Sequence, residues 1–168
     1  MRTPKDKELL LYFIVTGRNK QANEIIDNLN SLDTIIQGLA PLHWAAQYGR
    51  LSVVKSLVRR GANINVKDKH GFTPLHIAVG ENHPRIVRTL IKEGANLHAR
   101  SKDDGGGQAI HKAAAYGRLE ILKILIRSGA KADSRDAEGN TPLSFAISYK
   151  YRLIAAFLRK TLSAQSLC

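Results

Sequence analysis

A pattern of about 33 residues recurs along most of this 168-residue chain. Four segments carry it, GLAPLHWAAQYGRLSVVKSLVRRGANINVKD from Gly38, GFTPLHIAVGENHPRIVRTLIKEGANLHARS from Gly71, GGQAIHKAAAYGRLEILKILIRSGAKADSRD from Gly106 and GNTPLSFAISYKYRLIAAFLRK from Gly139. His43, His76 and His111 lie 33 and 35 residues apart, and Ser144 follows after another 33. A single unit of this length cannot cover its own apolar face, so the period predicts units that stack and share a core.

Each repeat has the features of two short helices. Pro74 stands in a first-turn position, where no backbone N–H donor is needed. Gly49 and Gly117 are predicted to end the first helix in the left-handed conformation, with Asn82 as a tolerated substitute and Lys150 as a departure from the pattern. The second helix, such as LSVVKSLVRR, has apolar residues at helical spacing and is followed by a Gly-Ala pair.

These motifs resemble those of the ankyrin-repeat family, whose TPLHxAA…G…GAxxN pattern they share over about 125 residues. The resemblance implies an all-α ankyrin-repeat solenoid, in which antiparallel helix pairs stack and their turns protrude. We expect one continuous domain. Its predicted parts are an N-terminal capping helix pair over 1–37, repeats over 38–70, 71–103 and 104–138, and a C-terminal capping repeat over 139–162 with a short polar tail.

The chain is strongly basic. Lys and Arg outnumber Asp and Glu by 26 to 14, and the whole net charge of +12 falls after residue 34, where 21 basic residues face 9 acidic ones. Such a charge favours anionic partners. The second helices are predicted to carry basic stripes on their outer face, made of Lys55, Arg59, Arg88, Lys92, Lys123, Arg127 and Lys160. These stripes fit an anionic surface, although a solvated helix face looks the same.

Several classes of protein are excluded by the sequence. The apolar run LLLYFIV has seven residues where a membrane span needs about 20. Acidic residues replace the basic region of a secretory signal, so we expect an intracellular protein of the cytoplasm, or of the nucleus in a eukaryote. Cys168 is the only cysteine, so we expect no internal disulfide and no cysteine metal cluster. We expect no cofactor.

The six histidines are interpreted as structural. The resemblance implies that His43, His76 and His111 form hydrogen bonds within and between the turns of adjacent repeats. His70, His83 and His98 lack any spacing of metal ligands, so no metal site is expected. Motifs of hydrolases, nucleotide-binding loops and kinases are absent as well, and we expect no enzyme. In similar eukaryotic repeats an asparaginyl hydroxylase modifies the turn position that holds Asn65, His98 and Asp133.

The resemblance implies a protein partner bound on a concave face by turn tips and first helices. Tyr48, Tyr116 and Tyr149 recur at one position there, and either contact a partner or pack against the neighbouring repeat. The predicted binding residues are Gln47, Tyr48, Lys67, Lys69, His70, Phe72, Glu81, Arg100, Lys102, Tyr116, Arg135 and Tyr149. We expect a monomer that holds a partner with an acidic surface and acts as scaffold, adaptor or steric inhibitor. The alternative is a binder of nucleic acid or acidic lipid through the basic stripes.

One turn is longer than the others. The histidine spacing of 35 places two extra residues within SKDDGGGQAIH, among positions 103–107. A phosphate loop would need Lys and Ser or Thr at the start of the next helix, and calcium would need more oxygen ligands than two adjacent carboxylates. The segment is therefore predicted to be a lengthened turn tip with high mobility.

Overall fold

The computed structural model of the protein describes residues 4–29 and 31–165. Cys168, which the sequence leaves without a disulfide partner, lies outside the described residues. Backbone contacts divide the chain into two compact units, Met1–Ala95 and Asn96–Cys168. The described residues form helices joined by turns. Ile36 and Leu39 form an isolated antiparallel β-bridge.

The first unit is a stack of three helix pairs. Its helices are α1 (Pro4–Thr16), α2 (Asn19–Ile26), α3 (Pro41–Gln47), α4 (Leu51–Arg59), α5 (Pro74–Gly80) and α6 (Pro84–Lys92). Each first helix packs on the second helix of its own pair. The first helices also pack on one another in the order α1, α3, α5, and the second helices in the order α2, α4, α6.

The second unit contains two helix pairs, α7 (Ala109–Ala115) with α8 (Leu119–Arg127) and α9 (Pro142–Ser148) with α10 (Arg152–Gln165). Helix α7 packs on α9 just as α3 packs on α5 in the first unit. The all-α class and the stacking of helix pairs expected from the repeat are thus confirmed. Within 4–29 and 31–165, the structure contains no helix that combines the length and the apolar character needed to cross a membrane.

The core lies between the first and second helices of each pair. In the second pair of the first unit, α3 packs on α4, and Leu42 and Ala46 of α3 are fully buried, as are Val54 and Leu57 of α4. One fully buried alanine recurs in the first helix of each repeat, where a small side chain lets neighbouring helices approach closely: Ala45, Ala78, Ala113 and Ala146. Larger aliphatic residues fill the second helices, where each fully buried Leu contributes about 1.5–3 kcal/mol.

A left-handed residue follows each of the four first helices of the repeats. Gly49, Asn82, Gly117 and Lys150 have φ angles of 70°, 61°, 72° and 60°. The helix ends predicted at Gly49, Asn82 and Gly117 are therefore confirmed, and Lys150, which departs from the glycine pattern, adopts the same conformation. A side chain in this conformation costs about 1–2 kcal/mol, so Lys150 is a locally strained residue.

Glycine has a second role at these helix ends, because the next repeat approaches it closely. A Cβ atom at Gly49 would lie 2.8 Å from Cε1 of His83. One at Gly117 would lie 2.7 Å from Cε1 of Tyr151. Both distances are shorter than any ordinary carbon contact, so packing as well as backbone conformation favours glycine here.

The extra residues of the long turn are where the sequence places them. In an ordinary turn of this protein, the amide of Asp68 donates to the carbonyl of Phe72, four residues on. In the long turn, the amide of Ser101 donates to the carbonyl of Gly107, six residues on. The helices on either side keep the lengths of their counterparts in the preceding repeats, nine residues for α6 as for α4 and seven for α7 as for α5, so the insertion changes the turn alone.

Several hydrogen bonds hold the long turn to its surroundings. Its tip forms a short 3-10 turn over Asp104–Gly106. The guanidinium of Arg100 donates to the carbonyl of Gly106 at 3.0 Å, and the amide of Ala137 donates to the carbonyl of Gly105 at 2.8 Å. High mobility at 103–107 stays a prediction, and these bonds are the restraints that such motion would have to break.

Candidate functional site

Buried histidines connect the turns of adjacent repeats. Nδ1 of His43 accepts from the amide of Ala40 at 3.3 Å, and its Nε2 lies 3.0 Å from the carbonyl of Phe72 in the following turn. Because Nδ1 accepts a hydrogen bond, the imidazole is the neutral tautomer and its Nε2–H donates to the carbonyl. The expected bonding of this residue within and between turns is confirmed.

The second unit repeats this arrangement. Nδ1 of His111 accepts from the amide of Gln108 at 3.1 Å, and its Nε2 lies 3.0 Å from the carbonyl of Ser134. Burial lowers the pKa of His43 and of His111 below the ordinary value of 6.5, although the carbonyls that they contact act in the opposite direction. Both imidazoles are therefore neutral at pH 7, which is the form that their hydrogen bonds require.

We expect acid to destabilise the protein through these two side chains. Below pH 6.5 the unfolded chain binds protons at these two histidines, whereas the folded chain binds them only at lower pH. The free energy of unfolding therefore decreases as pH falls. Each histidine contributes a slope of at most about 1.4 kcal/mol per pH unit. Urea denaturation between pH 7 and 5.5 measures this slope. A His43→Gln/His111→Gln variant should be less stable and should depend less on pH in that range, and an unchanged slope would contradict the assignment.

Ser144 takes the histidine position in the last repeat. Its Oγ accepts from the amide of Thr141 at 2.8 Å, as an imidazole does elsewhere, and its hydroxyl donates back to the carbonyl of the same residue at 2.7 Å. The serine thus keeps the local hydrogen bond of the helix start. Its short side chain is satisfied inside its own turn.

The three repeated tyrosines are exposed at the ends of the first helices. Tyr48, in the first unit, is 37% exposed and stacks on Trp44 with ring centroids 6.0 Å apart. In the second unit, Tyr116 is 48% exposed with the ammonium of Lys112 5.7 Å from its ring centre, and Tyr149 is 58% exposed. The three rings are therefore accessible in part, and contact with a partner at this position stays a prediction.

The cations predicted at the turn tips fall into two groups. Lys67, Lys69 and Lys102 are exposed. Arg100 and Arg135 are exposed as well, but their guanidinium groups donate to carbonyls of the second unit's turns, Arg100 to Arg135 at 2.6 Å and Arg135 to Gly139 at 2.9 Å. These two arginines therefore brace the turns in addition to presenting positive charge.

The remaining predicted binding residues differ in accessibility. Phe72 is half-buried, with its ring centroid 6.4 Å from His70 and 5.9 Å from His76. Gln47 is half-buried, and its carbonyl lies 3.2 Å from Nε2 of His83. Glu81 is exposed. The hydroxylation positions Asn65, His98 and Asp133 are exposed on turns.

The basic stripes are only partly available to a ligand. On α4 and α6 of the first unit, Lys55, Arg59, Arg88 and Lys92 are exposed. In the second unit Arg127 and Lys160 are exposed, whereas Lys123 is half-buried with its ammonium 5.6 Å from the ring centre of Phe157. Among residues 4–29 and 31–165, no group of three or more His, Cys, Asp or Glu side chains is arranged to hold a metal ion.

Two arginines that the sequence did not single out tie the first unit together. Arg50 donates to the carbonyls of Ile14 and Val15 at 2.8 and 2.7 Å, at the end of α1. Arg60 donates to the carbonyl of Leu29 at 3.2 Å. Arg50 and His83 hold the same repeat position, just before the second helix, and both contact a carbonyl of the preceding helix pair. A polar side chain at this position in successive repeats is a signal that could have identified Arg50.

Stacked helix pairs linked by buried histidines define a helical-repeat protein that offers a series of exposed turns and helix ends. The sequence matches the family model described as ankyrin repeats in three copies, over residues 5–101 and 97–165. The chain belongs to the ankyrin-repeat family.

Curated relatives share the repeats within larger proteins. The chain is 33% identical to the E3 ubiquitin-protein ligase Ufd4 of Drosophila melanogaster over 92% of its own length but 4% of the relative's. It is 34% identical to SH3 and multiple ankyrin repeat domains protein 2 of Homo sapiens, over 67% of this chain and 6% of that protein. It is 44% identical to protein phosphatase 1 regulatory subunit 27 of Homo sapiens, over 32% of this chain and 34% of that protein. Ankyrin repeats are protein-interaction modules, and their fold is typically non-enzymatic.

Proposed function

We propose that the chain binds a partner protein with an acidic surface through its turn tips and the ends of its first helices. Binding holds the partner in a defined position or blocks part of its surface, so the chain acts as a scaffold, adaptor or steric inhibitor. The relative named as a regulatory subunit of protein phosphatase 1 supports a role exerted through binding.

The observation that carries this proposal is the exposure of one aromatic position in both units. Tyr48, Tyr116 and Tyr149 are 37%, 48% and 58% exposed, although large rings at helix ends are readily buried. Each follows a helix that is fixed by core packing, so little freedom of the backbone is lost when a partner binds. Tyrosine combines a large apolar contact area with a polar tip, and it is enriched at the energetic centres of interfaces.

The charge at the turn tips favours an acidic partner. Lys67 and Lys69 in the first unit and Lys102 in the second are exposed beside the turns. The overall charge of +12 acts in the same direction by speeding the encounter with an anionic surface. Phe72, held by its two histidine neighbours, adds an apolar edge to the lysines of the first unit.

Truncation of the three tyrosines tests the proposal. We expect Tyr48→Ala/Tyr116→Ala/Tyr149→Ala to lower partner capture by at least about 100-fold, because interface tyrosines contribute 1 kcal/mol or more each. Capture from extracts of the native cell, read by mass spectrometry, identifies which proteins the wild type retains and the variant loses. Tyr12→Ala is the matched control, since Tyr12 is 48% exposed on α1 but lies outside the predicted surface.

Two outcomes would overturn the proposal. The first is capture that survives the triple substitution while thermal unfolding shows an intact fold. The second is binding that responds only to the stripes, so that Lys55→Glu/Arg88→Glu abolishes it and the tyrosine variant does not. That result would instead establish the anionic-surface alternative, for which retention of nucleic acid or acidic vesicles should fall steeply with salt.

A further inference from the structure

The last helix pair exposes an apolar position that the earlier repeats bury. Ile147 of α9 is 51% exposed, whereas Ala46, Val79 and Ala114 at the same place in the repeat are fully buried. Ala46 and Ala114 are covered because α5 packs on α3 and α9 packs on α7. The outer side of α9 therefore exposes an apolar side chain at the position where the other repeats are packed against a neighbour.

Positive charge surrounds this apolar position. A shallow groove of about 300 Å³ between α9 and α10 is lined by Ala146, Ile147, Lys150, Arg152, Ala155 and Arg159. Three of the six residues are cations, and none is acidic. We call this groove the basic face.

The first helix pair offers a groove of opposite charge. Between α1 and α2, a groove of about 550 Å³ has an apolar floor that includes Leu9, Phe13 and Ile25. Asp6 and Glu24 line it as well, and none of the described residues that line it is a cation. Leu9 is 43% exposed, although it is a large aliphatic residue on a packed helix. We call this groove the acidic groove.

We propose that the chain associates with a second copy of itself head to tail, with the basic face of one copy seated in the acidic groove of the next. Ile147 then meets the apolar floor, and Arg152 and Arg159 meet Asp6 and Glu24. Pairing a face with the same face of another copy would bring like charges together, which costs several kcal/mol. One copy of such a pair keeps its groove unused and the other keeps its face unused, so further copies can add until a ring closes or a filament forms.

The association is weak. Two copies that each carry +12 repel one another, and the grooves are small compared with a permanent interface. Sedimentation velocity of the purified chain, from about 10 µM to about 1 mM, is therefore the appropriate measurement. We expect the average mass to rise with concentration, in place of the monomer expected from the sequence.

Charge exchange tests the proposed geometry. Asp6→Asn/Glu24→Arg reverses the acidic groove, and Arg152→Glu/Arg159→Glu reverses the basic face. Each variant alone should associate at least about 10-fold more weakly than the wild type. Mixing the two should restore association, since each then offers the complement that the other lacks. A chain with both reversals should also associate with itself, and this rescue shows that the substitutions preserve the fold.

Three results would overturn the proposal. The wild type could remain a monomer up to the highest concentration. Only one of the two reversals could have an effect, which would indicate pairing of like faces. Both reversals could act without rescue on mixing. The tyrosine variant used for partner capture should associate normally, so failure of the two proposals can be told apart.

Discussion

Replacement of His43 by alanine should lower the free energy of unfolding by about 3 kcal/mol, because it leaves the amide of Ala40 and the carbonyl of Phe72 without their buried partner. A loss of this size is a large part of the 5–15 kcal/mol that holds a typical domain folded. The substitution removes a hydrogen bond between two repeats, so it weakens their connection as well as the repeat that contains His43. Urea denaturation followed by circular dichroism measures it.

Ser144→Ala is the matched control for this substitution. Ser144 holds the same place in the last repeat, but it is half-buried and bonds only within its own turn. Water can replace the lost hydroxyl, so the expected cost is about 1 kcal/mol. Equal losses in the two variants would show that the histidine contributes only to its own helix start, and that the bond to the following turn adds nothing.

Gly117→Ala should destabilise the second unit by about 3 kcal/mol, more than its backbone conformation alone explains. The left-handed φ of 72° costs an alanine about 1–2 kcal/mol. The remainder arises because the new Cβ would lie 2.7 Å from the ring of Tyr151, which must move. Thermal and urea unfolding of the purified variant measure the loss.

Gly139 separates the two contributions. Its positive φ of 84° is close to that of Gly117, but a Cβ added there meets nothing within 4 Å. Gly139→Ala should therefore show the conformational cost alone, about 1–2 kcal/mol. Adding Tyr151→Ala to Gly117→Ala should relieve the collision, so the two substitutions should cost less together than the sum of their separate effects. Strict additivity would rule out the ring contact as the cause.

The repeated elements of the fold could be predicted from the sequence with little loss. The helix ends at Gly49 and Gly117 follow from local chemistry, and the place of the two extra residues follows from counting. The left-handed conformation of Lys150 departs from the glycine pattern and was not predicted. The histidine bonds could be predicted from the family pattern. In each case a short stretch of chain contains most of the information that determines the structure.

The accessibility of side chains could not be predicted in the same way. Tyr48 could have packed inward or stayed exposed, and its stacking on Trp44 depends on rotamers that the pattern does not encode. Arg100 was predicted to face a partner, but the path of the lengthened turn brings carbonyls within reach of its guanidinium. The grooves at the first and last helix pairs depend on which neighbours are present, and a repeat motif describes only the unit itself.

The bond from Ser101 to Gly107 closes the long turn at its base, so residues between them can change without disturbing the helices on either side. Natural variation can therefore lengthen the loop at this point without altering the spacing of the repeats. The same property makes the segment a place for protein engineering. A short foreign peptide grafted between Asp103 and Gly106 would be displayed on a fixed base, with Arg100 and Ser101 acting as its anchor.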